Sequence, residues 1–289
     1  NGKKLYELAR EGIEIERKFL VVGEGWRGHA QGEYGARGRK QRGAGVSGSA
    51  GPVALTLSGQ WIDGDGISAF SEARGASERD SFDGKSGLAK ASVALFGGLS
   101  ADAGGFYSKA RYGYDNFGSD AAHHGSKRDA TAFTNLRYAS DGGRLNGRIG
   151  FALTDSRRVS THAVFGPYQT DGRNERWEGQ VDYTPVDALT LLAGAERETS
   201  TFHDNFGSRD RTRIDAAFVS ATLRPVTGLT LTGGVRHDDH QDFGGRESLS
   251  ASAAWVLGND TDAPVLRASF GEGFRAPSLQ QEWYSSPTT

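Results

Sequence analysis

Val53-Ala54-Leu55-Thr56-Leu57-Ser58-Gly59-Gln60-Trp61 alternates without a break: odd positions are apolar or Gly, even positions small or polar. Successive side chains of a strand point to opposite faces, so a period of two marks a strand whose faces meet different surroundings. Leu229-Thr230-Leu231-Thr232-Gly233-Gly234-Val235-Arg236 repeats the scheme. So do Trp177-Glu178-Gly179-Gln180-Val181-Asp182-Tyr183 and Leu145-Asn146-Gly147-Arg148-Ile149-Gly150-Phe151. Weaker versions run through 88–96, 106–114, 132–138, 189–198, 214–223, 249–257 and 265–270. Only the first turns of the chain look helical.

The connections sort by parity. Short turns are expected near 50–52, 98–102, 140–143, 185–188, 225–228 and 258–264. Longer polar stretches are expected at 63–85, 116–129, 155–173, 201–211 and 240–246. A soluble sandwich does not normally alternate short and long loops, whereas an outer-membrane barrel has tight turns at one end and long loops at the other. The alternating runs are about ten residues, enough to cross a bilayer at a tilt of roughly 45°. Trp61, Tyr112, Trp177, Tyr183, Trp255 and Phe270 sit near strand ends, where interfacial aromatic girdles form. Lys109, Arg111, Arg148, Glu178, Asp182, Arg236 and Arg267 are assigned to the lumen face. In a soluble sandwich that face would be the solvated one.

Composition supports this reading. Gly is 42 of 289 residues and apolar residues are 36%, which suits strands of which one face alone meets lipid. The net charge of −2 is too balanced for a general nucleic-acid binder. No apolar run reaches the roughly 18 residues of a transmembrane helix. Aromatic residues make up 10% and recur regularly, which excludes general disorder. Cys is absent, which excludes disulfides, thiolate nucleophiles and Cys-bound metal. Met is absent too and the chain starts at Asn1, so an internal fragment is expected. About thirteen strands fit between Trp26 and Phe274, an odd number that does not close a bacterial single-chain barrel.

Two segments carry a family resemblance. Leu229 to His240, followed by Phe243-Gly244-Gly245, resembles a barrel hairpin of TonB-dependent outer-membrane receptors. Gly273-Phe274-Arg275-Ala276-Pro277-Ser278-Leu279 resembles their Gly-Phe-[Arg/Lys]-Ala-Pro-Ser-Leu barrel motif. Asp65-Gly66-Ile67-Ser68-Ala69 resembles the branch that includes vitamin B12 (cobalamin) receptors. The resemblance covers about residues 32–289. It implies an all-β fold: a partial antiparallel transmembrane β-barrel, about 13 strands of a 22-stranded one. It implies uptake of a scarce ligand, cobalamin or a ferric siderophore, and no catalysis. The implied partners are outer-membrane lipid and a periplasmic TonB-type energy-coupling protein, which acts through an N-terminal plug. The chain carries neither plug nor coupling box, so the expected protein is a truncated receptor.

The opening residues read differently. Residues 3–11 are expected to form a short helix stopped by Gly12. In Ile13-Glu14-Ile15-Glu16-Arg17-Lys18, the residues Glu14, Glu16 and Lys18 share one strand face. This resembles the first Glu-x-Glu-x-Lys strand of the CYTH triphosphate-tunnel family, over about residues 12–30. There the carboxylates hold a divalent metal and the Lys contacts phosphate. Residues 1–30 are therefore expected to be a foreign N-terminal segment and 31–289 the barrel, with a metal-dependent triphosphate phosphohydrolase fragment as the alternative function.

Other motifs are bland. Gly43-Ala44-Gly45-Val46-Ser47-Gly48 fits G-x-G-x-x-G but lacks the following helix that gives the pattern meaning. His237, Asp238, Asp239 and His240 are candidate metal ligands by residue type. Asp63, Asp65, Asp80 and Asp83 are candidate Ca²⁺ ligands in extracellular loops. Each set also reads as an ordinary solvated loop, and nothing in the sequence groups a Ser/His/Asp site.

Overall fold

The computed structural model describes residues 15–23, 25–68, 72–75, 79–116, 119–162, 166–258, 263–276 and 279. They form one antiparallel sheet whose strands follow chain order without a crossover. The strands are β1 (Ile15–Gly23), β2 (Trp26–Tyr34), β3 (Lys40–Ala50), β4 (Val53–Gly64), β5 (Phe82–Ala94), β6 (Leu99–Asn116) and β7 (Ser119–Ala139). There follow β8 (Leu145–His162), β9 (Gly166–Val186), β10 (Leu189–Asp204), β11 (Arg209–Leu223), β12 (Leu229–His240), β13 (Gly244–Val256) and β14 (Val265–Gly271). The thirteen strands expected from Trp26 onward are β2 to β14. The expected N-terminal helix and Glu14 lie outside the described residues.

Strand β1 is the fourteenth. Its backbone pairs with β2 from Ile15↔Tyr34 to Gly23↔Trp26. The described part of the Glu-x-Glu-x-Lys stretch, with Glu16 and Lys18, thus joins the same ladder as the strands that follow, and β2 runs from Trp26 to Tyr34.

Register fixes which residues share a face. Leu57 pairs with Val46 and Ala89, and Leu231 with Leu223 and Ala253. Followed across the ladder, these positions form one unbroken apolar face, which we call outward. On β4 it holds Val53, Leu55, Leu57, Gly59 and Trp61; on β8, Leu145, Gly147, Ile149, Phe151 and Leu153. Ile149 is 62% exposed and Val219 54%. A soluble sheet buries such a face, and this one is long enough to meet lipid. Five outward positions span roughly 27 Å along a strand, or roughly 20 Å of bilayer after a 35–45° tilt. Trp61, Trp177, Tyr183, Trp255 and Phe270 point outward as the girdle reading expects.

Three expectations need correction. Tyr112 pairs with Phe82 on the inner face and packs on Tyr114, their ring centroids 6.2 Å apart. Lys109 and Arg111 face outward, because Lys109 pairs with Lys85 and Arg111 with Asp83. Strand β6 is 18 residues long and leaves the apolar belt before it ends, so above the belt both of its faces are polar. Lastly, most stretches expected as long loops are strand. Strands β7 and β9 run for 21 residues each, and residues 205–208 are all that separate β10 from β11. Outside lipid no apolar alternation is needed, so the hairpins continue on ion pairs such as Arg157 Nε to Asp171 Oδ1, 2.5 Å, and Arg197 Nε to Asp215 Oδ1, 2.5 Å. Between β4 and β5 the described residues include a short 3-10 turn at Glu72–Arg74.

At the other end the connections that are described throughout, such as 51–52, 95–98, 140–144, 187–188 and 224–228, are compact. The β5–β6 turn needs Gly98: its φ is +78° and an added Cβ would lie 1.9 Å from the Ala139 carbonyl oxygen. That oxygen belongs to the neighbouring strand, so the turn sits flush against β7.

Candidate functional site

The inner face carries a chain of charges across five strands. Arg148 on β8 meets Glu178 on β9 at 3.0 Å, and Arg176 on β9 meets Glu196 on β10 at 2.5 Å. Glu196 also receives Arg236 from β12, which in turn holds Asp238 at 2.7 Å. Strand β11 lies between β10 and β12 and contributes an aromatic ring rather than a charge. The Arg236 guanidinium lies 5.8 Å from the Phe218 ring centroid, so it reaches Glu196 by crossing the ring face, a cation–π arrangement. Gly194 makes this possible: a Cβ there would come within 2.4 Å of the Phe218 ring. A second knot lies on β6 and β7. Asp102, 3% exposed, pairs with Arg137 and accepts from Asn135 Nδ2 at 3.0 Å.

Above the network lies a cavity of about 720 Å³, lined by Glu196, Glu198, Ser200, Thr212, Arg236, Asp238, His240, Glu272 and Arg275 among others. Glu272 and the Gly273–Ala276 part of the Gly-Phe-Arg-Ala-Pro motif reach it from beyond β14. At its rim His240 is 2% exposed. The Asp242 amide donates to His240 Nδ1 at 3.1 Å, which assigns the ring proton to Nε2. His240 Nε2 stands 3.4 Å from Thr212 Oγ1, and that hydroxyl donates to Asp242 at 2.8 Å. His240 therefore ties the β11 and β12 ends to the 241–243 turn.

The metal candidates are dispersed. Strand β12 alternates, placing His237 and Asp239 outward and Asp238 and His240 inward. His237 stands 3.9 Å from Glu247, and Asp238 is taken by Arg236. Asp63 and Asp83 face each other across β4 and β5, but Asp63 lies 4.0 Å from Lys40 and Asp83 accepts from Trp61 Nε1 at 2.7 Å. Asp65 lies 3.7 Å from Arg79, and Asp80 sits beside the Gly66 and Gly113 backbones. Among the described residues no three His, Asp or Glu side chains form a metal-holding group. Half of the inner charge network is legible in sequence: alternation puts Arg148, Glu178 and Arg236 on that face, whereas Arg176 and Glu196 join it only through the strand register.

One extramembrane carboxylate organises a hairpin tip. Burial raises the Asp204 pKa, but amide hydrogen bonds from the turn, led by Ser208, outweigh this and hold it below the usual carboxylate value. Its Oδ1 accepts the Ser208 and Phe206 amides at 2.9 Å each. A lowered folded pKa means stabilisation that is complete above the unfolded value of about 4 and lost as pH falls through the folded value. Amide-exchange protection factors at Phe206 and Ser208 should therefore hold at neutral pH and drop below about pH 4. Asp204→Ala should show the low protection at every pH. Flat wild-type protection down to the acid limit would remove the carboxylate from this role.

A family profile described as "TonB dependent receptor-like, beta-barrel" matches residues 25–289. Among curated proteins, the ferric enterobactin receptor PirA of Pseudomonas aeruginosa is 28% identical over 134 residues, 45% of this chain and 17% of that protein. Among solved structures, a variant of the ferric enterobactin receptor PfeA from Pseudomonas aeruginosa superposes with a TM-score of 0.71 at 15% identity, covering 93% of this chain and 44% of that one. The FrpB iron transporter from Neisseria meningitidis gives a TM-score of 0.73 at 14% identity, covering 89% and 48%. The siderophore receptor PirA from Acinetobacter baumannii gives 0.71 at 14%, covering 92% and 43%. The chain thus spans under half the length of these structures. The tunnel-family reading of residues 12–30 gains no support from these matches.

Proposed function

The chain belongs to the TonB-dependent receptor-like β-barrel family, and from that premise we propose that it forms wall strands of an outer-membrane receptor for a small iron chelate of the ferric siderophore kind. The observation that carries this reading is the two-faced sheet. An apolar outward belt suits lipid, and a charged inner face with a cavity at the long-hairpin end suits a polar lumen. The curated and structural relatives are described as receptors for ferric enterobactin or siderophores and as an iron transporter, which favours an iron chelate over cobalamin. Uptake, not bond-making, is the activity. The energy comes from a periplasmic coupling protein of the TonB type acting through a plug domain.

The test is uptake by iron-starved cells with and without the gene, supplied in separate arms with radiolabelled ferric enterobactin and radiolabelled cyanocobalamin. Loss of iron uptake alone supports the reading. Loss of cobalamin uptake alone reassigns the ligand, and loss of neither removes the transport role.

A further inference from the structure

Just above the outward belt, on the long-hairpin side, Lys85, Lys109, Arg128 and Arg157 stand directly opposite one another on β5, β6, β7 and β8. Cβ atoms of opposed residues lie about 5 Å apart, and like charges so placed destabilise a sheet. Elsewhere on this rim several cations are paired: Arg157 with Asp171, Arg173 with Glu175, Arg197 with Asp215. Among the described residues, no carboxylate lies within 4.0 Å of Lys85, Lys109 or Arg128. One dyad higher Arg111 stands opposite Asp83, and Arg42 closes the row over the Trp61 ring, 5.0 Å from its centroid.

Directly below the row the belt is dented. Gly59, Gly87 and Gly105 face outward beside Ala89 and Ala130, and they line a groove of about 780 Å³ walled by Leu57 and Tyr107. A Cβ at Gly59 or Gly87 would meet nothing closer than a backbone oxygen at 3.6 Å, so packing within the protein does not require glycine at these two places. An uncompensated cation row therefore caps an apolar trough that opens into lipid.

We propose that this surface binds a phosphate-bearing acylated lipid of the outer leaflet, its phosphate on Lys85, Lys109 and Arg128 and an acyl chain in the glycine-floored groove. The inference rests on the outer-membrane reading above. The anion supplies the counter-charge that the sheet lacks, and the chain fills space that a bulkier outward face would have closed.

The test uses the full-length protein in dimyristoyl phosphatidylcholine vesicles doped with dimyristoyl phosphatidic acid, either lipid carrying brominated chains. Trp61 lies beside the site, and its emission, isolated by subtraction of a Trp61→Phe variant, reads which chains are near. Brominated phosphatidic acid should quench it at mole fractions where brominated phosphatidylcholine does not. Lys85→Gln/Lys109→Gln/Arg128→Gln should weaken the apparent affinity roughly 100-fold, since each basic residue near a membrane surface counts for about fivefold. Gly59→Leu/Gly87→Leu keeps the cations and should also weaken lipid binding. Equal quenching by both lipids, or an unaffected triple variant, overturns the proposal. So does full displacement of the lipid by millimolar inorganic phosphate, which would make this a phosphate site without a chain. Failure of either lipid to quench any tryptophan would instead overturn the membrane reading itself.

Discussion

Leu57→Arg should cost about 2–4 kcal/mol of stability in a bilayer, the range for a basic residue on the lipid face at the midplane. Leu57 is the third of five outward belt positions on β4, with Val53 at one edge and Trp61 at the other, so an arginine there has the longest reach to either interface. Leu231→Arg should cost less. Leu231 is one outward position from the end of its strand, beside Leu229, and snorkelling toward the compact-turn side is short. Thr232→Arg is the matched control: its neighbours Thr222 and Ser252 are on the inner face, and it gives up one hydroxyl contact of 3.1 Å to Thr222, worth about 1 kcal/mol. Thr56→Arg is a poorer control, because Thr56 faces Lys90. Urea unfolding midpoints in phosphatidylcholine vesicles should rank Leu57→Arg below Leu231→Arg and both below Thr232→Arg. Equal losses at Leu57 and Thr232 would mean that the outward face does not meet lipid.

That ranking depends on knowledge that alternation supplies and knowledge that it does not. Within the belt, lipid forces the pattern onto the sequence: Val53 to Trp61 and Leu145 to Phe151 could be read directly, and thirteen strands emerged at their places. Above the belt both faces are wet. There charge does not distinguish lumen from rim, so the outward direction of Lys109 and Arg111 is set only by ladder register with Lys85 and Asp83. The same loss of contrast hid the upper parts of β7, β8 and β9 among polar stretches. The first strand was legible as a strand, but its partner was not. Three charges in Glu-x-Glu-x-Lys spacing suggest chemistry only if other strands complete the ring, and the pairing of β1 with β2 puts it in the barrel sheet. Among candidate ligands, strand parity separates His237 and Asp239 from Asp238 and His240, a consequence available from sequence once β12 was known to extend to His240.

Removing the central carboxylate of the inner network should be the most damaging polar substitution. Glu196, with 15% of its side chain exposed, is the one acidic group touching both Arg176 and Arg236. The six charges from Arg148 to Asp238 balance, three of each sign. Glu196→Gln leaves three arginines against Glu178 and Asp238, with Arg236 still held over Phe218. Stranding a buried charge costs about 3–5 kcal/mol. Arg176 and Arg236 keep 42% and 35% exposure, so solvent screening lowers the expected loss to about 2 kcal/mol. The second substitution gives the decisive sign. Adding Arg236→Gln to Glu196→Gln restores the balance between Arg148, Arg176 and Glu178, Asp238, so it should cost less in the variant than in the wild type. Because part of the loss is repulsion among exposed guanidinium groups, the gap between wild type and Glu196→Gln should also narrow at 1 M salt, where the screening length is about 3 Å. Additive losses, or a gap indifferent to salt, would mean that Glu196 acts by packing against its neighbours and not as the shared anion of a charge chain.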